Sequence, residues 1–291
     1  MTEVICLAGA SWAHPCASAE QERALRALER GGVLWFPHLP FAMQNGENLL
    51  LSTTIAGEGK NVSLDPSGGS LRGSSADAAE LGLLRSVMLR FAASCKALLH
   101  NVLPHYDAGV QRARTSFRPV EIAGRSTSWR KDDTRLHVDS FPSSPTRGHR
   151  ILRVFSNVNP HGQNRTWRLG ESFEDAARRF LPSLPGPIWG ASHMLNLLGI
   201  TKGRRSSYDH FMLRLHDRMK ADLAYQSAVA QRVHEFPPGS TWIVFTDQVS
   251  HAAMSGRYAL EQTFHLPVDS MFDQTQAPLR ILERLLGRKL A

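Results

Sequence analysis

The sequence predicts an α+β fold in one domain, with a β-rich core and flanking helices. Three observations predict it. Apolar and polar side chains alternate over residues 134–141, 150–159 and 257–264, and a β-prone apolar run fills 241–246. Side chains two apart on a strand share a face, so each stretch offers one face to a core. Apolar residues recur every three to four positions over 76–103, 208–230 and 278–290, the spacing of a helix packed on one side. No linker or internal repeat divides the 291 residues, 42% of which are hydrophobic, and that length suffices for one large core.

Composition narrows the setting. Cysteine occurs three times, at Cys6, Cys16 and Cys95. The set is odd and widely spaced, so no disulfide framework or zinc cluster is expected and a reducing compartment is. No apolar run reaches the roughly 18–20 residues of a membrane span. The first ten residues carry Glu3 and no Lys or Arg, unlike the positive start of a secretory signal. A cytoplasmic location is expected. A formal net charge of +8 and a pI near 9.9 suit an anionic partner: nucleic acid, an anionic membrane or an acidic small molecule.

In chain order, residues 18–30 read as a helix with Ser18 as N-cap, Glu20 and Glu22 in its first turn, and Gly31-Gly32 at its end. Residues 33–36 form a short strand stopped by Pro37. The Gly- and Ser-rich stretch 57–75 reads as a loop or flap, with Lys60, Asn61 and Arg72 as candidate substrate contacts. The helix over 76–103 packs Leu84, Val87, Met88 and Phe91 and ends at Pro104. Strands follow at 113–122 and 149–160; Ile151, Arg153, Phe155 and Asn157 share a face of the second. Residues 162–168 read as a polar turn, 171–180 as a short helix, 189–198 as strand or helix, and 201–207 as a basic loop. The helix over 208–230 is an insert before the final strands. The amphipathic helix over 278–290 suits either docking on the domain or lying on an anionic bilayer. The expected layout is helices and flap over 1–110, a β core over about 111–268 with a helical insert over about 201–231, and the terminal helix 278–290.

The chemistry centres on residues 134–141. On a strand, His137 and Asp139 project together while Leu136 and Val138 face the other way. An imidazole and a carboxylate so placed need one more imidazole to make a 2-His-1-carboxylate site, which binds Fe(II) and leaves positions open for a co-substrate and O2. His251, delivered after the 241–246 strand, is the expected third ligand. A second His-x-Asp, at His105 and Asp107, lies between Pro104 and Ala108-Gly109 and reads as loop. Across the Ser255-Gly256 hairpin signal, Arg257 offers the planar cation that a dicarboxylate co-substrate needs. Arg153 and Asn157 would line the same pocket if their face looks inward.

The order His137-x-Asp139, His251, Arg257 resembles the Fe(II)/2-oxoglutarate-dependent oxygenases. The resemblance implies a double-stranded β-helix, a jelly-roll related to the cupins, with Fe(II), 2-oxoglutarate and O2 as cofactor and co-substrates. Longer runs are similar to the bacterial Kdo hydroxylases: residues 135–160, the Thr115-Ser-Phe-Arg-Pro-Val120 segment, and residues 208–217. That likeness implies hydroxylation at C3 of 3-deoxy-D-manno-oct-2-ulosonic acid (Kdo) on a Kdo-bearing lipid A acceptor, with succinate and CO2 as co-products. It also implies a peripheral enzyme at the cytoplasmic face of the bacterial inner membrane, with His137, Asp139 and His251 as iron ligands. Two alternatives stand beside it. One is an oxygenase acting on another anionic substrate such as nucleic acid, although the sequence carries no interleaved aromatic-basic motif and nucleic acid is not expected. The other is a non-enzymatic cupin-like metal-binding protein.

Overall fold

A computed structural model describes residues 1–57, 59–188 and 190–291. Two sheets face each other. The larger takes eight strands in the order β1 (Val4–Cys6), β2 (Val33–Phe36), β9 (Thr241–Phe245), β6 (Arg150–Asn157), β11 (Ala259–Leu266), β5 (Gln111–Arg118), β3 (Val62–Leu64) and β4 (Leu71–Arg72). The smaller takes β10 (His251–Ser255), β7 (Arg165–Leu169) and β8 (Arg232–Phe236). Every pairing is antiparallel except β1 with β2. This is the expected jelly-roll arrangement, extended by four strands from the segment expected to hold only helices, one strand and a flap.

Strand parity decides which side chains reach the site. On β9, Trp242 and Val244 enter the space between the sheets, while Ile243 and Phe245 face the helical layer. On β6, Arg153 and Phe155 point inward and Leu152 and Val154 outward. A sheet covered on both faces explains why every β6 residue is buried. The inner layer is aromatic: Phe155 stacks on Trp242 at 5.1 Å, Trp242 on Phe236 at 4.0 Å, and Trp167 meets Phe155 edge-on at 5.2 Å.

The outer face packs on α1 (Ser18–Glu29) and α2 (Ala78–Val102), whose Leu84, Val87, Met88 and Phe91 are buried as the spacing predicts. Ala17, not Ser18, is the N-cap of α1 and gives no side-chain cap. The start of α2 is fixed by a capping box. Asp77 accepts from the Ala79 and Glu80 amides at 2.9 Å, and Glu80 returns a bond to the Asp77 amide. Asp77→Ala is expected to lower stability by about 1 kcal/mol, read as a shift of the urea midpoint without change in slope.

Several expectations need correction. Residues 134–141 are not a regular strand: the chain turns at Thr134 and bends at Arg135, and among the described residues His137 pairs with His251 as an isolated bridge. The Gln226 side-chain amide takes the place of a strand at Leu136, accepting from its N–H at 2.7 Å and donating to its C=O at 2.9 Å. The flap contains the hairpin β3–β4, held because Val62 and Leu64 are fully buried. Residues 162–168 are not a turn: β7 starts at Arg165, and its charges hide the inward alternation of Arg165, Trp167 and Leu169. The insert breaks into α5 (Ser207–Ala221) and α6 (Leu223–Ala228), because Asp222 caps the second helix through the Tyr225 amide. Between α3 (Phe173–Phe180) and α5, residues 191–197 form helix α4 (Ala191–Leu197); Trp189, with which that expectation began, lies outside the described residues. The C-terminal helix α7 (Pro278–Leu286) buries Leu279, Ile281 and Leu282 and is docked on the domain. Among the described residues no helix is long and apolar enough to cross a membrane.

Candidate active site

His137 and His251 face each other across their bridge, exchanging N–H to C=O bonds of 3.0 and 2.9 Å. The Asp139 amide donates to Thr246 C=O at 2.8 Å, so the carboxylate is set two residues on from His137. The turn that delivers His251 is clamped from β6. Fully buried Arg150 donates to Asp247 at 2.7 Å and to Gln248 at 2.7 Å, and its guanidinium lies 3.9 Å from the Phe245 ring centroid. One ligand atom from each of His137, Asp139 and His251 lies within 4.8 Å of the others.

The protonation states suit a metal. His137 Nδ1 lies 2.7 Å from Arg135 C=O and His251 Nδ1 lies 2.8 Å from Val249 C=O. A carbonyl only accepts, so each Nδ1 carries the proton and each Nε2 lone pair is free. Burial pushes the His137 imidazole down to about 3 and lowers His251 as well. Burial alone would raise the Asp139 carboxyl. The Arg153 guanidinium, 3.1 Å away, and the two imidazoles outweigh it and hold Asp139 well below the usual range. Two neutral imidazoles beside a carboxylate are the forms a divalent ion binds. The residues fit a metal, and softness and ligand type fit Fe(II).

These states make stability depend on pH. Unfolded histidine titrates near 6.5, so below that the unfolded chain takes protons that the buried imidazoles refuse, and folding weakens. The metal-free protein is expected to lose about 1 kcal/mol through His137 by pH 5.5, with a further loss through His251. A steeper loss should follow below about pH 4, where Asp139 and Asp133, the latter also held low against its burial by Lys60 and Arg118, must protonate. Melting temperatures in chelator at pH 7.5 and 5.5 test this. An unchanged value would mean that the imidazoles are not held neutral.

Beside the triad lies a buried ionic cluster. Arg153 joins Asp139 to Glu261, the latter 3.6 Å away, and Arg118 Nε donates to Glu261 at 2.7 Å. From the flap, Lys60 reaches Asp133 at 2.5 Å, with Arg125 3.8 Å from the same carboxylate. Arg165, on β7, is 4% exposed. It donates to Gly256 C=O at 2.7 Å, and no carboxylate among the described residues lies within 4.0 Å. Burial, with Arg118 nearby, pushes it down to about 9. Lys60, Arg118, Arg125, Arg153 and Arg165 thus outnumber Asp133, Asp139, Glu261 and the neighbouring Glu121 even before a metal binds. Donors are also left over: Arg153 Nε and Trp167 Nε1 are buried without partners, and Trp167 stacks on the His251 ring at 5.0 Å. Unsatisfied buried donors in a positive pocket call for an anionic ligand. On the remaining side, His216 of α5 stands edge-on to His137 at 5.3 Å and holds Asp217 at 3.0 Å.

The triad His137, Asp139 and His251 comes together as expected, and Arg153 faces inward beside it. Asn157 shares that inward parity, but its amide is consumed by the backbone, donating to Gln163 and Phe236 C=O and accepting from the Asn159 N–H. Arg257 lies outside the buried cluster. The turn carries positive φ at Gly256 and Tyr258, which buries the tyrosine and leaves Arg257 partly exposed above its ring. The Lys60 of the flap joins the site, whereas Arg72 is exposed. His105, in a one-turn 3-10 helix, and Asp107, in the turn after it, are exposed and lie outside the site. Arg165, Trp167 and His216 were not singled out from the sequence, though the alternation Arg165-x-Trp167-x-Leu169 carried a signal; Arg118 stood out only as one of the arginines that flank the metal segment.

Comparison with known proteins agrees with this geometry. A family model described as 3-deoxy-D-manno-oct-2-ulosonic acid (Kdo) hydroxylase matches residues 11–289. Among solved structures the chain is similar to the Kdo hydroxylase KdoO, a non-heme Fe(II) alpha-ketoglutarate-dependent dioxygenase. The complex of that protein with alpha-ketoglutarate and Fe(III) is 48% identical, with a TM-score of 0.96 over 100% of this chain and 98% of that one. Its cobalt(II) complex is 49% identical, with a TM-score of 0.97 over 99% and 97%. Its complex with succinate and Fe(III) is 48% identical, with a TM-score of 0.96 over 99% and 97%. The curated proteins compared contain no match.

Proposed function

The chain belongs to the Kdo hydroxylase family, and from that premise we propose that it hydroxylates C3 of Kdo on a Kdo-bearing lipid A acceptor. It is an Fe(II)/2-oxoglutarate-dependent dioxygenase, which sets aside the non-enzymatic reading. His137, Asp139 and His251 hold the iron, and Arg118, Arg153, Arg165 and Trp167 receive 2-oxoglutarate. The observation that carries this assignment is the set of unsatisfied donors beside a triad whose Nε2 atoms are free.

When bound, Fe(II) would activate O2, the oxidant, with two electrons from 2-oxoglutarate as it becomes succinate and CO2 and two from the sugar C–H bond, one oxygen atom going to each. The protein's part is positional. Arg135 and Val249 carbonyls hold the imidazole tautomers. Arg153 keeps Asp139 ionised and aimed. Arg165 offers a planar two-point contact to a carboxylate. Trp167 and Phe155 keep water from the inner end of the pocket. The surplus of positive charge is met by a dicarboxylate, and the acid groups of the acceptor find further cations at the surface. The enzyme works peripherally at the cytoplasmic face of the inner membrane, where that acceptor is assembled.

Purified protein with Fe(II), 2-oxoglutarate and O2 should form succinate faster when a Kdo-bearing lipid A is added, and the acceptor should gain one oxygen. Turnover indifferent to the acceptor would discard the substrate; no turnover would discard the enzyme.

A further inference from the structure

Ile188 and the segment from Met194 to Ile200 leave large apolar side chains in water. Ile188 is 76% exposed, Leu197 87% and Leu198 65%, with Met194 and Ile200 also exposed. Large apolar side chains so close together are unusual on a soluble surface and mark an interaction site. They sit on and around α4, which stands off from α5 across a cleft of about 630 Å³, and among the described residues nothing covers them.

Cations ring this patch. Lys202, Arg204, Arg147 and Arg214 are exposed, and none has a carboxylate within 4.0 Å among the described residues. Arg147 lies against Gly203, where a Cβ would fall 2.6 Å from its guanidinium nitrogen, so the two basic segments are packed together. Apolar side chains bordered by unpaired cations match the layered chemistry of an anionic bilayer: acyl chains below, phosphates above.

The patch is tied to the active site. The Lys202 amide donates to Ser143 C=O at 2.8 Å, and Arg205 donates to Pro142 C=O. Those two residues follow Asp139 by three and four positions, within about 14 Å of extended chain. Phe141, between them and Asp139, lies over Arg153. By contrast the C-terminal helix has its apolar face buried.

We propose that Ile188, Met194, Leu197, Leu198 and Ile200, with their bordering cations, form the surface by which the enzyme docks on an anionic phospholipid bilayer, setting the metal centre beside the lipid headgroups. This rests on the lipid-linked substrate proposed above and names the element that meets the membrane.

The test is co-sedimentation of the iron-loaded protein with vesicles of phosphatidylcholine alone or with phosphatidylglycerol added. Alongside, hydroxylation of a water-soluble Kdo-bearing acceptor without acyl chains is measured. The unaltered protein should sediment with the anionic vesicles only. Leu197→Ser/Leu198→Ser should bind them at least about tenfold more weakly while hydroxylating the soluble acceptor at the same rate, which also shows that it is folded. Equal vesicle binding by both proteins overturns the proposal. So does binding by neither; light scattering that finds a dimer lost in the variant would then assign the patch to a second copy of the chain. Correct vesicle behaviour without hydroxylation of the soluble acceptor would overturn the substrate reading and leave the docking surface standing.

Discussion

His137→Ala should leave the protein unable to hold stoichiometric Fe(II) and should cut acceptor-dependent succinate formation by about a thousandfold or more. Losing a partner that merely orients a metal ligand costs about 10–100-fold, and removal of a ligand itself exceeds that. His137 also fixes the geometry of the pair, because its ring centroid lies 4.7 Å from that of His251 and its Nε2 lies 3.6 Å from Asp139. Without it, an aspartate and one imidazole remain. The global fold should survive, since the chain there is held by main-chain bonds: the bridge to His251 and the Gln226 amide on Leu136. Metal content, circular dichroism and turnover measured together separate loss of iron from loss of structure. Retained iron with full turnover would place the centre elsewhere.

The triad was legible because its signal is local. His137 and Asp139 alternate with Leu136 and Val138, both fully buried, and His251 follows a strand whose residues are all β-prone. The helices were legible where periodicity is long, as in α2. Most of what escaped follows from one cause: a polar group whose partner lies far along the chain. Arg165 looks like a turn residue until Gly256, 91 positions away, and the acids around it form its surroundings. The amide of Gln226, 90 positions from Leu136, stands in for a strand that the local pattern seemed to require. Asp222 escaped for a different, local reason: its carboxylate accepts from the Tyr225 amide three residues on and is worth more as a cap than inside a helix. Arg257 lies apart from the buried cluster for a local reason. Its position just past a hairpin signal looked suited to a pocket, but the positive-φ turn inverts which side chain is buried.

Arg165→Gln is expected to raise the KM for 2-oxoglutarate by about 10–100-fold, the range of a lost charged hydrogen bond of about 1.5–3 kcal/mol, without reducing iron content. Arg257→Gln, by contrast, should stay within about twofold, because a partly exposed arginine above a tyrosine ring contributes little. Arg165→Lys should recover only part of the loss, since a point charge cannot make the two-point planar contact. Arg153 separates the two functions of the pocket. It touches both Asp139 and Glu261, so Arg153→Gln should raise KM and also weaken iron, as Asp139 loses the cation that holds its carboxyl low. A result in which Arg257→Gln raises KM and Arg165→Gln does not would reverse the assignment and return the co-substrate to the hairpin. The pair is therefore decisive because the two arginines are equal in charge and differ in burial: a site that binds a desolvated dicarboxylate needs a guanidinium that is already out of water, and of the two only Arg165 is buried.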